Sequence, residues 1–177
     1  AEEYRYRGWV TIPLIRDKDG FPKRPFTDHW SQVTMTDVAG LPWQHAIGIG
    51  VVLGPASGNL AVIDLDDPEL AAAASTIAKN SYFVKTIRHR GHLYLQEAEP
   101  SKSHVLKVRW HSKTITVELK AQGTQVAAPP TPGYSVVTDL PALPVPSAGE
   151  AWRQLAQKLG IEAGSHEAAG GFPPPWQ

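Results

Sequence analysis

Residues 59–70 read NLAVIDLDDPEL, an apolar run that carries Asp64, Asp66 and Asp67 to its end and then breaks at Pro68. Carboxylates are costly to bury, and crowding them costs more, because like charges at short range disfavour each other's ionisation. Side chains alternate along a strand, so Asp64 and Asp66 share one face while Ile63 and Leu65 point the other way, into a core. Asp67 stands directly before Pro68 and Glu69, the pattern of a helix N-cap with proline at the first helical position. Two readings stay open on this stretch alone. All three acids cap a turn at the strand end, or Asp64 and Asp66 hold a hard divalent cation, for which oxygen ligands suit magnesium or manganese.

Upstream, HAIGIGVVLG (45–54) is a β-branched run separated from the acidic strand by the turn PASG, which predicts a hairpin. Earlier still, WVTIPLI, RDKDG and FPKRPFTDHW alternate apolar pieces with proline and glycine punctuation. They predict extended segments and loops, with a short helix near 30–39. Downstream, PELAAAASTIAKN predicts a helix. YFVKTI and HLYLQ predict strands joined by the basic turn RHRG, and HVLKVRW and TITVELK predict a hairpin across HSK. TQVAAPP and YSVV read as short strands near the end of the sheet. AGEAWRQLAQKLG reads as a helix over 148–159, stopped by Gly160. Short turns between most strands favour an α+β fold with a largely antiparallel sheet. Residues 1–160 are expected to form one catalytic domain, and the Pro/Gly-rich 161–177 a disordered tail or linker.

The chain has 177 residues and no cysteine, which excludes disulfides, thiol catalysis and cysteine-ligated zinc. No apolar run approaches the roughly 20 residues that span a bilayer, and the charged start AEEYRYRGW lacks a secretory h-region, so the expected compartment is the cytoplasm. Net charge is zero, yet Lys79, Lys85, Arg88, Arg90, Lys102, Lys107, Arg109 and Lys113 face only Glu97 and Glu99 within 79–113. Bases following acids in this order suit a metal-bound polyanion such as a nucleotide, and equally a solvated basic surface.

Two further pieces bear on that choice. In TVELK, Thr116, Glu118 and Lys120 point one way and Ile115, Val117 and Leu119 the other. Glu118 is then a lone acid on the polar face. A turn centred on Ser112 and Lys113 would set Lys107 opposite it as a plain cross-strand ion pair. In TIRHRGHLYL, His92 and Tyr94 share a face behind a turn carrying Arg88, His89 and Arg90, groups able to grip phosphate oxygens. Lys107, Arg109 and His111 share one face with Trp110 opposite, so they either track a nucleic-acid backbone or form a solvated face. Lys23 and Arg24 are a second contact of unassigned role. GPASG lacks the Lys-Ser/Thr of a phosphate-binding loop and reads as a turn.

The joint order of these pieces resembles the archaeo-eukaryotic primase superfamily, in its prim-pol (bifunctional DNA primase/polymerase) branch. AVIDLD is similar to the family's first motif, an apolar run ending Asp-x-Asp, RGHLYL to its second and VELK to its third. Flanks agree over roughly residues 9–138, through TIPL, FPKRP, the glycine-bearing IGIGVVLG and TQVAAPPTPGY. Where many members have serine two residues before the motif histidine, this chain has Arg90. The absence of cysteine also excludes the zinc-binding stem of some members.

The resemblance implies a primase-like catalytic core with an RRM-like sheet flanked by helices, and template-directed nucleotidyl transfer. It implies two divalent ions, Mg2+ or Mn2+, held by Asp64, Asp66 and Glu118 about 3.5–4 Å apart. Arg88, Arg90, His92 and Lys120 would bind the triphosphate of an NTP or dNTP, and a DNA template and primer would be the partners. A helicase or accessory module is expected C-terminal to the Pro-rich end. Two rivals compete: a catalytically weak nucleic-acid-binding replication domain, and a rolling-circle nickase. The nickase class needs two histidines flanking one apolar residue, and HLY supplies one.

Overall fold

In the computed structural model the described residues are 2–161 and the backbone of 167–168. After a short helix α1 (Glu2–Tyr6), strands β1 (Thr11–Arg16), β2 (Pro22–Pro25) and β3 (Gly48–Val52) join the later β9 (Gln125–Ala128). Together they make an antiparallel sheet of order β2-β1-β3-β9. A larger sheet holds β4 (Leu60–Leu65), β5 (Phe83–Lys85), β6 (Gly91–Glu97), β7 (His104–Trp110), β8 (Lys113–Lys120), β10 (Ser135–Thr138) and β12 (Glu167–Ala168). Its order is β10-β5-β6-β4-β8-β7-β12, and β11 (Leu143–Val145) adds to β6 in parallel, the one parallel pairing between named strands among the described residues. Helices α2 (Pro68–Ile77) and α3 (Ala148–Lys158) complete a mostly antiparallel α+β fold with few helices, as expected.

The acidic strand is apolar on both faces because both faces are covered. Ala61, Ile63 and Leu65 pack with Leu70, Ala71 and Ala74 of α2 and with Trp152 and Leu155 of α3. Leu60 and Val62 point the other way and pack with Ile12, Leu14, Val51 and Val126 of the smaller sheet. Helices, large sheet and small sheet are therefore stacked as three layers. Asp64 continues the Leu60–Val62 face, so it lies where the gap between the two sheets opens.

Helix α2 begins as its sequence dictates. Asp67 is extended, its carboxylate accepts from the Leu70 N–H at 2.9 Å, and Pro68 follows. Helix α3 starts at Ser147, whose hydroxyl accepts from the Glu150 N–H, and stops before Gly160 at φ 73. The buried Glu97 accepts the Ala148 N–H at this same end, and both the N–H and the hydroxyl of Ser101.

Four expectations are corrected. The segments 45–54 and 59–66 are not a hairpin: β3 and β4 belong to different sheets. The chain turns the corner at Gly54 (φ 84), whose N–H bonds the Leu60 carbonyl, through a 3-10 turn over Pro55–Ser57. There Ser57 accepts the Val10 N–H and donates to the Val52 carbonyl, which fixes the corner to the small sheet. The region 30–39 holds short 3-10 turns at Trp30–Gln32 and Val38–Gly40 instead of an α-helix. The β7–β8 turn is centred on His111 and Ser112, both with positive φ, and the register pairs Val105 with Glu118 and Lys107 with Thr116. The Lys107–Glu118 ion pair therefore does not form, and Lys107 donates to the Thr116 hydroxyl. The stretch TQVAAPP supplies β9 of the small sheet and not an end of the large one. Of the expected tail 161–177, residues 162–166 and 169–177 lie outside the described residues.

Candidate active site

Strand β4 is central, bonded to β6 on one side and β8 on the other. Its register sets Asp64 opposite both His92 and Glu118, so the three positions form one row across three adjacent strands. Paired positions in a sheet project to the same face, so the row points into the gap between the sheets. His92 Nε2 lies 3.5 Å from Asp64 Oδ1. Lys120 Nζ lies 3.0 Å from Asp64 Oδ2 and 3.5 Å from Glu118 Oε2, joining the two carboxylates. Asp66 carries the strand one residue further, its N–H on the Thr116 carbonyl, and its carboxylate is paired with the Arg90 guanidinium. Asp67 takes no part in this cluster; it caps α2 and approaches Lys113, which is bonded to Glu69.

Burial alone would raise the Asp64 carboxyl. The His92 ring and the Lys120 ammonium outweigh it and hold the group well below the usual carboxylate range. Burial likewise works against the Lys120 ammonium, but Asp64 and Glu118 together raise it above the ordinary lysine value. Tyr134, buried with its ring 6.2 Å from that of His92, is pushed up to about 12 by burial and by the Asp64 charge. His92 Nδ1 is buried without a hydrogen-bond partner among the described residues.

One pocket brings together Asp64, Asp66, Arg88, Arg90, His92 and Lys120 from the large sheet and the turn before β6. Its opposite wall is the small sheet, through Phe21, Lys23 and Gln125–Ala127, and Tyr134 closes one side. Glu118 does not line this pocket. It lines the adjoining hollow with Lys120 and Gln125, and its link to the pocket runs through the Lys120 ammonium. Phe21, Gln125 and Tyr134 were not foreseen from sequence, since strands far apart in the chain bring them in. Lys107 and Arg109 lie exposed on the open face of β7, and the His111 ring stacks on Trp110 at 3.9 Å.

Among the described residues, no three His, Asp or Glu side chains are placed together as a cation cage. The donor chemistry nevertheless fits a hard divalent ion. Asp64 and Glu118 are row neighbours, with a single ammonium bridging them as a stand-in cation, and Asp66 is the next acid on the same strand face.

The chain belongs to the bifunctional DNA primase/polymerase N-terminal family, whose model matches residues 1–149. No curated protein matches it in sequence. Membership supports a DNA primase/polymerase, nucleotidyltransferase role in replication, with DNA and nucleotides as substrates, and members generally use divalent metals. No helix among the described residues is long and apolar enough to cross a membrane.

Proposed function

We propose that this chain catalyses template-directed nucleotidyl transfer, joining an incoming nucleotide to a primer 3′-hydroxyl, on a primase-like core whose RRM-like sheet carries the site. The observation that carries the reading is the His92–Asp64–Glu118 row, with Asp66 beyond it and every acid already matched to a cation. Asp64, Asp66 and Glu118 would hold two divalent ions, Mg2+ or Mn2+. When bound, such ions lower the pKa of the attacking hydroxyl and neutralise charge on the departing pyrophosphate.

The chain's own side chains supply position and countercharge. Arg90, His92, Lys120 and Arg88 line the pocket that receives the triphosphate. His92 lines the pocket with Nε2 toward Asp64, so it holds that carboxylate beside the entering phosphates. The exposed Lys107–Arg109 face of β7, continuous with β8, offers charge for the template backbone.

The test is primer extension and de novo synthesis with magnesium or manganese, offering ribo- and deoxyribonucleotides separately, beside Asp64→Asn and Glu118→Gln. Losing a metal-binding carboxylate removes several kcal/mol of transition-state stabilisation, so both variants are expected to lose at least about a hundredfold in extension. DNA binding should persist in both. A parent chain that binds DNA yet extends no primer with either ion would be the non-catalytic replication domain instead.

A further inference from the structure

Strand β2 is an edge of the small sheet, and its two cations point opposite ways. Lys23 lines the pocket. Arg24 pairs with Ile15 of β1, whose neighbour Leu14 faces the large sheet, so Arg24 turns to the back of the small sheet. It is exposed and has no acidic partner within ion-pair distance among the described residues. In the sequence no acid stands between Asp19 and Asp28. Two large apolar groups flank it on the same ladder. The Phe26 N–H bonds the Pro13 carbonyl on one side of β1, and the Ile47 N–H bonds the Leu14 carbonyl on the other. Phe26 is 40% exposed and Ile47 38%. The exposed His45 ring stands 5.2 Å from that of Phe26, tilted 40° to it.

Clustered exposure of this kind marks a docking surface, and its chemistry selects the occupant. A protein strand is a poor fit, because β2 opens on Pro22 and closes on Pro25, which lack the N–H that a new ladder needs. A phenyl ring, an imidazole and a guanidinium instead offer flat faces to nucleobases, and the unpaired charge of Arg24 suits a phosphate. Bases reach such faces only where they are unpaired, since in a duplex they stack on one another.

We infer that the back face of the small sheet binds single-stranded DNA, through base stacking on Phe26 and His45 and a phosphate contact from Arg24, with Ile47 as an apolar neighbour. The surface is separate from the pocket and from the Lys107–Arg109 face of β7, and it needs neither metal nor nucleotide. One face of the small sheet thus walls the pocket while the other holds unpaired strand.

The test is fluorescence anisotropy of a dye-labelled oligothymidylate of about 15 nucleotides titrated with the whole chain in chelator, beside a duplex of the same length. Phe26→Ala is expected to raise Kd for the single strand about tenfold, the loss of one stacked base, and to leave duplex binding within about twofold. Phe26→Tyr keeps the ring and should bind like the parent, whereas Phe26→Leu keeps only apolar bulk and should fail like alanine. Arg24→Gln should weaken binding about fivefold and flatten the salt slope by about 0.7, the share of one phosphate contact. Arg153→Gln, on α3, controls for general loss of positive charge. Unchanged single-strand affinity in Phe26→Ala and Arg24→Gln overturns the inference, as does parent-like binding by Phe26→Leu or an equal loss on the duplex. A parent dimer in sedimentation that Phe26→Ala dissolves, with DNA affinity unmoved, would also overturn it and make the face a contact between copies. If the parent extends no primer, the proposed function fails while the titration, run without metal or nucleotide, still reads this surface.

Discussion

Replacing Lys120 by methionine probes the electrostatics of the site. The ammonium contacts Asp64 at 3.0 Å and Glu118 at 3.5 Å, and at an effective dielectric of about 20 each contact is worth about 5 kcal/mol before desolvation is counted. Stripping one partner from a buried pair typically costs about 3–5 kcal/mol. With the Lys120 side chain 25% exposed and that of Glu118 39% exposed, water screens part of the loss, and the expected destabilisation at pH 7 is about 2–3 kcal/mol. The pH dependence has a definite sign. In the parent, the depressed Asp64 carboxyl contributes stability above its unfolded pKa, about 4, and that share is lost as pH falls through the lower folded value. The raised Lys120 ammonium contributes below its unfolded value, about 10, and that share is lost as pH rises through the folded one. Lys120→Met abolishes the second share and shrinks the first, so its deficit should be widest between about pH 5 and 9 and narrow towards either end. Urea denaturation followed by tryptophan fluorescence, in chelator at about pH 2.5, 7 and 11.5, measures this. Manganese at a hundred times its Kd should return up to about 2.7 kcal/mol to the variant. A deficit that is absent, or uniform across pH, would refute the reasoning.

The other expectations follow from the same geometry. Asp67→Ala removes the α2 cap and should cost about 1 kcal/mol in urea denaturation while leaving primer extension intact; lost extension at full stability would place Asp67 in the site. Gly91→Ala drives a Cβ to 2.7 Å from Phe83 Cζ and 3.0 Å from Ala71 Cβ, so about 1–3 kcal/mol of stability should go, read as a lowered denaturation midpoint. Arg90→Ser frees Asp66 from its guanidinium and should lower the manganese concentration for half-maximal extension about fivefold. An unchanged manganese titration would separate Arg90 from ion binding.

Much of this was legible in the sequence where the signal is local. The alternation in AVIDLD placed Asp64 and Asp66 on one face, and Asp67-Pro68-Glu69 announced the helix, because caps and strand periodicity act between neighbours. The β7–β8 hairpin was legible but its register was not. A two-residue turn with both φ positive usually advertises itself with Asn-Gly, and here His111 and Ser112 adopt it instead. The β3–β4 corner misled because PASG serves a hairpin or a change of sheet equally well. What separates them is the pairing of β3 with β1 and β9, which is set by burial across the chain. The pocket wall of Phe21, Gln125 and Tyr134 left no local trace for the same reason. That Asp64 meets His92 and Glu118 follows from strand order in the sheet, which the spacing of the motifs does not encode.

That strand order constrains how the molecule acquires its chemistry. Asp64 gains its neighbours only when β6 and β8, made later in the chain, have docked on either flank of β4. A translation product released before β8 lacks the glutamate altogether. Complementary halves split in the loop between β6 and β7 must reunite β8 with β4 before either recovers the row, so catalytic competence in split-protein complementation should appear with, and never ahead of, restored sheet pairing.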